Sequence, residues 1–495
     1  MLNQPNKVAA PRMPDTYLIL LGVALLAFLL TYLVPAGSFD VVKQLQSDGS
    51  EKVLLNPESF SLLQENAEGA PLFAEGGNIG LLNLPFEGMV SGNKYGTSIG
   101  VFAFIIIAGG SFGMIMATGA IDRGLMRLIS ISGRADVFFI PVIFITFSLG
   151  GAVFGMGEEA IPFVLIVVPF LISLGYDSIT GLLVTYVATQ IGFSTSWMNP
   201  FSVSIAQGVA GVPLLSGAGF RMICWSVFTL LGLIYTLRYA KKVRAFPQLS
   251  IAWENDNQFR AESYQRINHD VLSWHDRVIL LIFFAGISWI VWGVTTQGYY
   301  LPEIASQFFA IGFLIAIVAV VLSRNNFTAN QAAISFKEGA SQLLPAALVV
   351  AFAKGIVLLL GGDDPSTPSV LNTLLFNASQ LVDGLPESLA ALCMLAFQSV
   401  FNFFVTSGSG QAALTMPLMA PLADLVGVTR QTAVLAFQLG DGLTNILVPT
   451  SAALMGCLGA ARLDWSLWFR FVISLQCLLF LLAAAAMLIA VAIGF

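Results

Sequence analysis

Two adjacent carboxylates, Glu158 and Glu159, stand in the run Gly155-Met156-Gly157-Glu158-Glu159-Ala160 between two apolar arms. An acidic group at membrane depth is expensive and marks a functional site by default. Two together repel a dicarboxylate but can pair with an ammonium or guanidinium group, or carry a coupling ion. A competing reading puts this tip at the cytoplasmic surface, where the carboxylates are hydrated or cap the next helix. Asp441 is a third intramembrane carboxylate, suited to ion or proton coupling or, alternatively, to capping a helix end. Hydroxyls and amides cluster at related places: Ser194, Thr195, Ser196 and Asn199 in one half, and Thr444, Asn445, Thr450 and Ser451 in the other. Ser407, Ser409 and Gln411 mark a second glycine-rich tip, with Asn402 five residues before it. Such groups also join membrane helices together. The expected substrate contacts are Glu158, Glu159, Ser194, Thr195, Ser196, Asn199, Asn402, Ser407, Ser409, Gln411, Asn445 and Thr450. A sodium ion is expected from Thr195, Ser196, Asp441, Thr444, Asn445 and Ser451.

Composition says what must position these groups. Of 495 residues, 57% are apolar and 10% charged, with a net charge of -6; mean hydropathy is +0.83. That balance belongs in a bilayer. Cys224, Cys393, Cys457 and Cys477 lie in apolar stretches without paired spacing, so buried free thiols are expected and no disulfide or metal knuckle. Both histidines, His269 and His275, fall in a polar segment, which excludes a histidine site within the membrane. No HExxH motif is present, and both histidines lie in a polar segment away from any nucleophile in the apolar runs, so an enzyme is not expected. The run Tyr17 to Val34 has the length of a signal peptide, but its thin basic flank and the spans after it favour an uncleaved helix.

A crossing needs about 20 apolar residues. Full crossings are centred on 17–34, 97–119, 218–238, 278–296, 304–323, 341–361 and 468–492. Segments 178–208 and 429–457 are long enough to cross but interrupted by polar residues, Gly and Pro, which makes nine crossings with two broken helices. Segments 137–173 and 387–424 have polar tips between short arms, the pattern of re-entrant hairpins. With the N-terminus cytoplasmic, sixteen Lys and Arg residues fall inside and four outside, as the positive-inside rule requires. Loop 38–96 is then external, 241–275 an internal linker, and the C-terminus periplasmic or extracellular. Amphipathic stretches 121–134 and 369–384 suit helices lying along the interface.

The halves repeat. Thr195-Ser196-Trp197-Met198-Asn199-Pro200-Phe201-Ser202 aligns with Thr444-Asn445-Ile446-Leu447-Val448-Pro449-Thr450-Ser451 at an offset of 249, while Pro169 and Gly175 match Pro421 and Gly427. An odd number of crossings between equivalent helices makes the repeats inverted. Unwound backbone at membrane depth is tolerated only when buried or lining a cavity, so two breaks facing two tips define a midplane site.

The stretches Gly155 to Phe163, Ser407 to Ala412 and Asp441 to Pro449 resemble the YfcC family, grouped with the anaerobic dicarboxylate carrier DcuC in the ion transporter superfamily. The second and third also resemble the aminobenzoyl-glutamate transporters. The resemblance spans nearly the whole chain. It implies a homodimer in the bacterial inner membrane, with a scaffold and a transport domain that slides as an elevator. The expected fold is thus an all-α integral membrane transporter with inverted repeats. Scaffold helices are expected in 1–135 and 276–385, and transport halves in 136–240 and 386–495. The expected function is secondary active transport of a small carboxylate-bearing solute. An amino acid, with basic ones included, ranks ahead of a dicarboxylate or other organic acid; exchange and Na+ or H+ coupling stay open. A channel is the main rival outside carriers. No cofactor beyond a coupling ion and no nucleic-acid partner is expected. Arg221 and Lys354 are each candidates to hold a substrate carboxylate; Arg221 is expected rather to snorkel to the outer surface, and Lys354 to form an ion pair.

Overall fold

The computed structural model describes residues 16–45, 51–56, 59–63, 69–94, 98–121, 123–124, 127, 138–199, 202–266, 272–322, 327–362, 364, 366–380 and 384–495. Most of the expected stretch 121–134, and Pro200, Phe201 and His269, lie outside them.

Nineteen α-helices follow one another among the described residues. They are α1 Thr16–Leu33, α2 Leu84–Val90, α3 Ile99–Ala117, α4 Phe139–Phe154, α5 Ala160–Ser173, α6 Ser178–Leu182, α7 Ala188–Ser194, α8 Val203–Ala210, α9 Ala218–Ala245 and α10 Asn257–Arg266. After these come α11 Trp274–Gln297, α12 Leu301–Val321, α13 Ala329–Leu359, α14 Val370–Gln380, α15 Glu387–Asn402, α16 Gly408–Leu425, α17 Arg430–Thr444, α18 Ala452–Ala460 and α19 Trp465–Ala492. A π-helical turn, Leu183–Val187, joins α6 to α7. Local chemistry starts these helices. Ser273 with Asp276, and Thr328 with Gln331, form capping boxes on α11 and α13. Asp177, Thr429 and Ser451 cap α6, α17 and α18 with side-chain oxygens.

Among the described residues, six helices are long and apolar enough to cross a bilayer: α3, α9, α12, α13, α19 and the Trp274–Gly293 part of α11. Tyr17–Leu33 falls short of that length. Exposed Leu18, Leu21, Leu25 and Leu29 on α1, and Leu478, Leu481 and Leu488 on α19, give these helices outward faces suited to lipid. In contrast, every residue of α6, the π turn and α7 is buried, as is α17 from Thr432 onward.

Small residues set the closest approaches, as expected where packing rather than water drives helix association. A Cβ on Gly113 of α3 would lie 2.2 Å from the Ser335 carbonyl of α13, and one on Gly339 would lie 2.3 Å from that of Gly109. The sequence repeat is also a structural one. In each half a helix pair (α4–α5, α15–α16) precedes a buried helix, a non-helical stretch, a short helix and a long one. Gly175 and Gly427, the matched glycines, both turn the chain at positive φ, 87° and 76°, which only Gly adopts without strain.

Three expectations need correction. The fold is mainly but not wholly α, because the expected external loop holds two short antiparallel pairs, Gly37–Ser38 with Ser61–Leu62 and Val41–Leu45 with Glu51–Leu55. Asn372 Nδ2 of α14 donates to the Gly37 carbonyl at 3.1 Å, and Thr373 Oγ1 to that of Pro35 at 2.7 Å, so this loop is tied to the helices. The expected thiol burial holds for Cys224 and Cys457 only; Cys393 is half-buried and Cys477 exposed, since α19 turns that face outward. Third, the stretch 241–275 is not simply a linker: α9 runs on to Ala245, α10 follows, and Ala252 and Asp256 between them are fully buried.

Candidate substrate site

The helix ends that lead into the two non-helical stretches, whose described residues are 195–199 and 445–451, approach each other closely. A Cβ on Gly442 would come within 2.6 Å of Ser194 Cα. Unwound backbone there needs partners, and side chains from distant helices supply them. In the second stretch Trp468 Nε1 donates to the Ile446 carbonyl and Trp465 Nε1 to that of Leu447, both at 2.9 Å. Gln476 Nε2 donates to Leu443 O at 2.7 Å, and Tyr186 OH to Asn445 O at 2.7 Å. In the first stretch Ser196 Oγ donates to the Ala152 carbonyl at 2.5 Å and accepts from the Asn199 amide at 2.8 Å. Gln438 Nε2 of α17 donates to the Ser196 carbonyl.

A cavity of about 210 Å³ opens beside these stretches. Its walls include Glu158 and Glu159 from the α4–α5 turn, Thr406 to Ser409 from the α15–α16 turn, Asn445 and Ser451 from the second stretch, and Tyr300 at the start of α12. Gly155, at φ 71°, ends α4 and lets the turn swing in; a Cβ there would lie 2.3 Å from Asn199 Oδ1. Glu159 Oε2 accepts from the Gly157 amide at 2.8 Å, which fixes one carboxylate within the turn. The N-terminus of the eighteen-residue α16, capped by Ser407 and carrying the positive end of its dipole, also borders the cavity. Among the described lining residues there are two carboxylates and no Lys or Arg.

Of the expected substrate contacts, Glu158, Glu159, Ser407, Ser409 and Asn445 line this cavity. Thr450 lines a smaller adjoining one with Lys354 and Ser407, and its Oγ1 donates to Phe403 O. Ser194 and Thr195 donate their hydroxyls to the Ile191 carbonyl within their own helix turn. Ser196 and Asn199 shape the first stretch, and Gln411 Nε2 donates to Gln398. None of these four, nor Gln411, lies among the lining residues. Gln190, Phe193, Tyr300 and Thr406 line the cavity but were not singled out from the sequence. Gln190 carried a usable signal, a polar amide in an otherwise apolar helix; Tyr300 carried none.

A second group lies deeper. Asp441 is fully buried; its Oδ1 accepts from Asn445 Nδ2 at 3.1 Å, while Oδ2 has no donor. Asn402 Nδ2 donates to Asn445 Oδ1 and to the Asp441 carbonyl, both at 3.1 Å. Asn402 Oδ1 and Thr444 Oγ1 are likewise without hydrogen-bond partners. Gly408 brings α16 against this carboxylate, since a Cβ there would sit 3.0 Å from Asp441 Oδ2. Of the other residues expected around sodium, Thr195 and Ser196 spend their hydroxyls on backbone, and Ser451 Oγ caps Leu454.

Arg221 corrects the expectation of snorkelling: it is wholly buried. Its Nε donates to Gln438 Oε1 at 3.0 Å, and Nη1 donates to Ser216 O at 3.0 Å and Gln431 Oε1 at 3.1 Å. Two polar side chains of α17 and the Ser216 carbonyl supply its acceptors inside the protein.

Residues 13–492 match the C4-dicarboxylate anaerobic carrier family, DcuC. The chain is 49% identical over 493 residues to the Escherichia coli (strain K12) protein named "Putative basic amino acid antiporter YfcC", covering 98% of this chain and 97% of that one. It is 28% identical over 506 residues to an uncharacterized protein of Haemophilus influenzae, covering 97% of each. Solved structures aligned with it include the Alcanivorax borkumensis YdaH transporter, with TM-score 0.39, 14% identity and coverage of 97% and 99%. The Neisseria gonorrhoeae antimetabolite efflux pump MtrF aligns with TM-score 0.43, 14% identity and coverage of 97% and 96%. At TM-scores below 0.5 neither fixes a position in this chain. The family match and the near full-length relative establish that this chain is a multi-pass membrane protein of the C4-dicarboxylate anaerobic carrier family.

Proposed function

We propose that the chain is a secondary active carrier of a cationic amino acid. The observation that carries this reading is the charge of the cavity: two carboxylates and no Lys or Arg among its described lining residues. A dicarboxylate there would meet like charge on entering a desolvated space, whereas an ammonium or guanidinium group would be neutralised. Glu158 and Glu159 hold the cationic side chain, and the α16 N-terminus with Ser407 and Ser409 receives the α-carboxylate. The name of the Escherichia coli relative agrees in substrate class; the family description, which names dicarboxylates, does not. Asp441, with unpartnered oxygens on Asn402 and Thr444 beside it, takes the coupling cation, a proton or Na+. Buried oxygens left without donors are costly until a cation or proton satisfies them.

In this reading the helix pairs α4–α5 and α15–α16 are re-entrant hairpins, and the two halves are inverted repeats that complete nine crossings. Residues 136–240 and 386–495 move against a frame from 1–135 and 276–385, in a homodimer of the bacterial inner membrane with the N-terminus cytoplasmic. Two features support such sliding: both non-helical stretches lie in the first set of segments, and glycine-packed α3 and α13 lie in the second. The test is uptake by proteoliposomes of labelled arginine, ornithine, neutral amino acids, succinate and citrate under separate Na+, proton and preloaded-substrate gradients. Arginine or ornithine entry, lost on Glu158→Gln with Glu159→Gln, is expected. Entry of carboxylates alone overturns the substrate assignment, and ohmic current overturns the carrier.

A further inference from the structure

A second cavity, of about 350 Å³, shares no lining residue with the first. It runs along α5, where Leu165 and Pro169 line it; at 1.5 Å per residue they lie roughly 9 to 15 Å beyond Glu159, on the side of the 241–275 segment. One wall comes from α3 and α13 and carries Glu338 and Gln342. The other comes from α5, Phe259 of α10, and Arg462 in the turn between α18 and α19. A carboxylate-bearing and a guanidinium-bearing residue thus line one space from different elements, together with apolar residues that include Phe112 and Leu165.

Arg462 is also held at a cost. It has φ 52°, one of two non-glycine residues with positive φ among those described. Bulky side chains pay about 1 kcal/mol or more for that backbone, and such outliers gather at functional sites. Glycine would satisfy the turn without strain, so the guanidinium is what the position keeps. Phe259 supports it, with the ring centre 4.6 Å from Cζ, and Nη1 donates to Gln258 Oε1 at 3.4 Å.

We propose that this cavity is a second amino-acid site, on the 241–275 side, which recognises the zwitterionic backbone of the solute. Glu338 takes the α-ammonium and Arg462 the α-carboxylate, while the side chain lies along the apolar walls. Recognition here is independent of the solute's side chain, unlike the acidic first cavity, which selects for a cation. The inference rests on the amino-acid reading of that first cavity.

The experiment uses full-length protein in proteoliposomes of fixed orientation, with labelled arginine offered to one face at a time. Its carboxyl-free amine analogue serves as the second probe. The variants are Glu338→Gln and Arg462→Gly, the latter removing the guanidinium while relieving the backbone. Both are expected to raise the half-saturation concentration for arginine at least fivefold on the 241–275 face and to leave the opposite face unchanged. The amine analogue should respond to Glu338→Gln and not to Arg462→Gly. Unchanged or equally changed values at the two faces, in protein that still carries arginine, overturn this site alone. Failure of the unsubstituted protein to carry any amino acid overturns the first reading and this one with it.

Discussion

Gln438 Nε2 of α17 donates to the carbonyl of Ser196, 2.5 Å away and 242 residues distant in the chain. The same side chain accepts from the buried Arg221 through Oε1. One amide therefore ties the non-helical stretch of the first half to the continuous helix of the second and satisfies a guanidinium on its other side.

Replacing Gln438 with Leu leaves both the Ser196 carbonyl and Arg221 Nε short of a partner. Each buried group left unmade costs about 1–3 kcal/mol, so the Gln438→Leu protein should unfold well below the parent in a detergent thermal-shift measurement. An unchanged midpoint would show that the clamp is dispensable.

The paired glycine substitutions Gly192→Ala and Gly157→Ala should differ sharply. A Cβ at Gly192 would lie 1.8 Å from the Ser148 carbonyl of α4, where backbone must move, while at Gly157 nothing stands within 4 Å. Core overpacking costs typically 1–3 kcal/mol and more where backbone is hit. Gly192→Ala should lose expression and monodispersity, and Gly157→Ala should keep both, as judged by size-exclusion chromatography.

Asp441→Asn keeps the oxygen that accepts from Asn445 but removes the charge. The expected result is a protein that still exchanges labelled for unlabelled substrate yet no longer accumulates it against a gradient. Retained accumulation in a gradient-driven flux assay would remove Asp441 from the coupling role.

Asp256, in the segment between α9 and α10, has its carboxyl pushed up to about 6, by burial first and by the neighbouring Asp177 charge; the Ser178 amide and Arg260 oppose this. The native state then binds the proton more tightly than the unfolded chain, so docking of this segment is favoured below the ordinary 3.8 and weakens as pH rises through 6. Asp256→Asn, which keeps an acceptor for the Ser178 amide, should raise the thermal midpoint over the parent at pH 7.5 and lose that advantage by pH 4. A difference constant across pH would contradict the assignment.

Much of the architecture was written locally. Apolar runs fixed the long helices, and the matched Pro169–Gly175 and Pro421–Gly427 pairs located equivalent turns because only glycine takes their backbone cheaply. The runs from Thr195 and from Thr444 foretold the non-helical stretches, and the glycine-rich tips foretold the two turns between paired helices. Glu158 and Glu159 were legible because a carboxylate in an apolar context has few reasons to exist. The Val41–Leu45 pairing was not, because a strand's partner is set by the chain that folds back on it.

The sequence by itself determined which segments are helices, where they stop, and that polar oxygens gather at the stops. Only the tertiary structure decided what each oxygen does. A serine or threonine hydroxyl can bond its own helix turn, a neighbouring carbonyl or a solute with similar ease, so Ser194 and Thr195 turned back to Ile191 while Ser407 and Ser409 face the cavity. Arg221 went inward for the same reason: its acceptors, Gln431 and Gln438, lie more than 200 residues away and come within reach only when the chain folds.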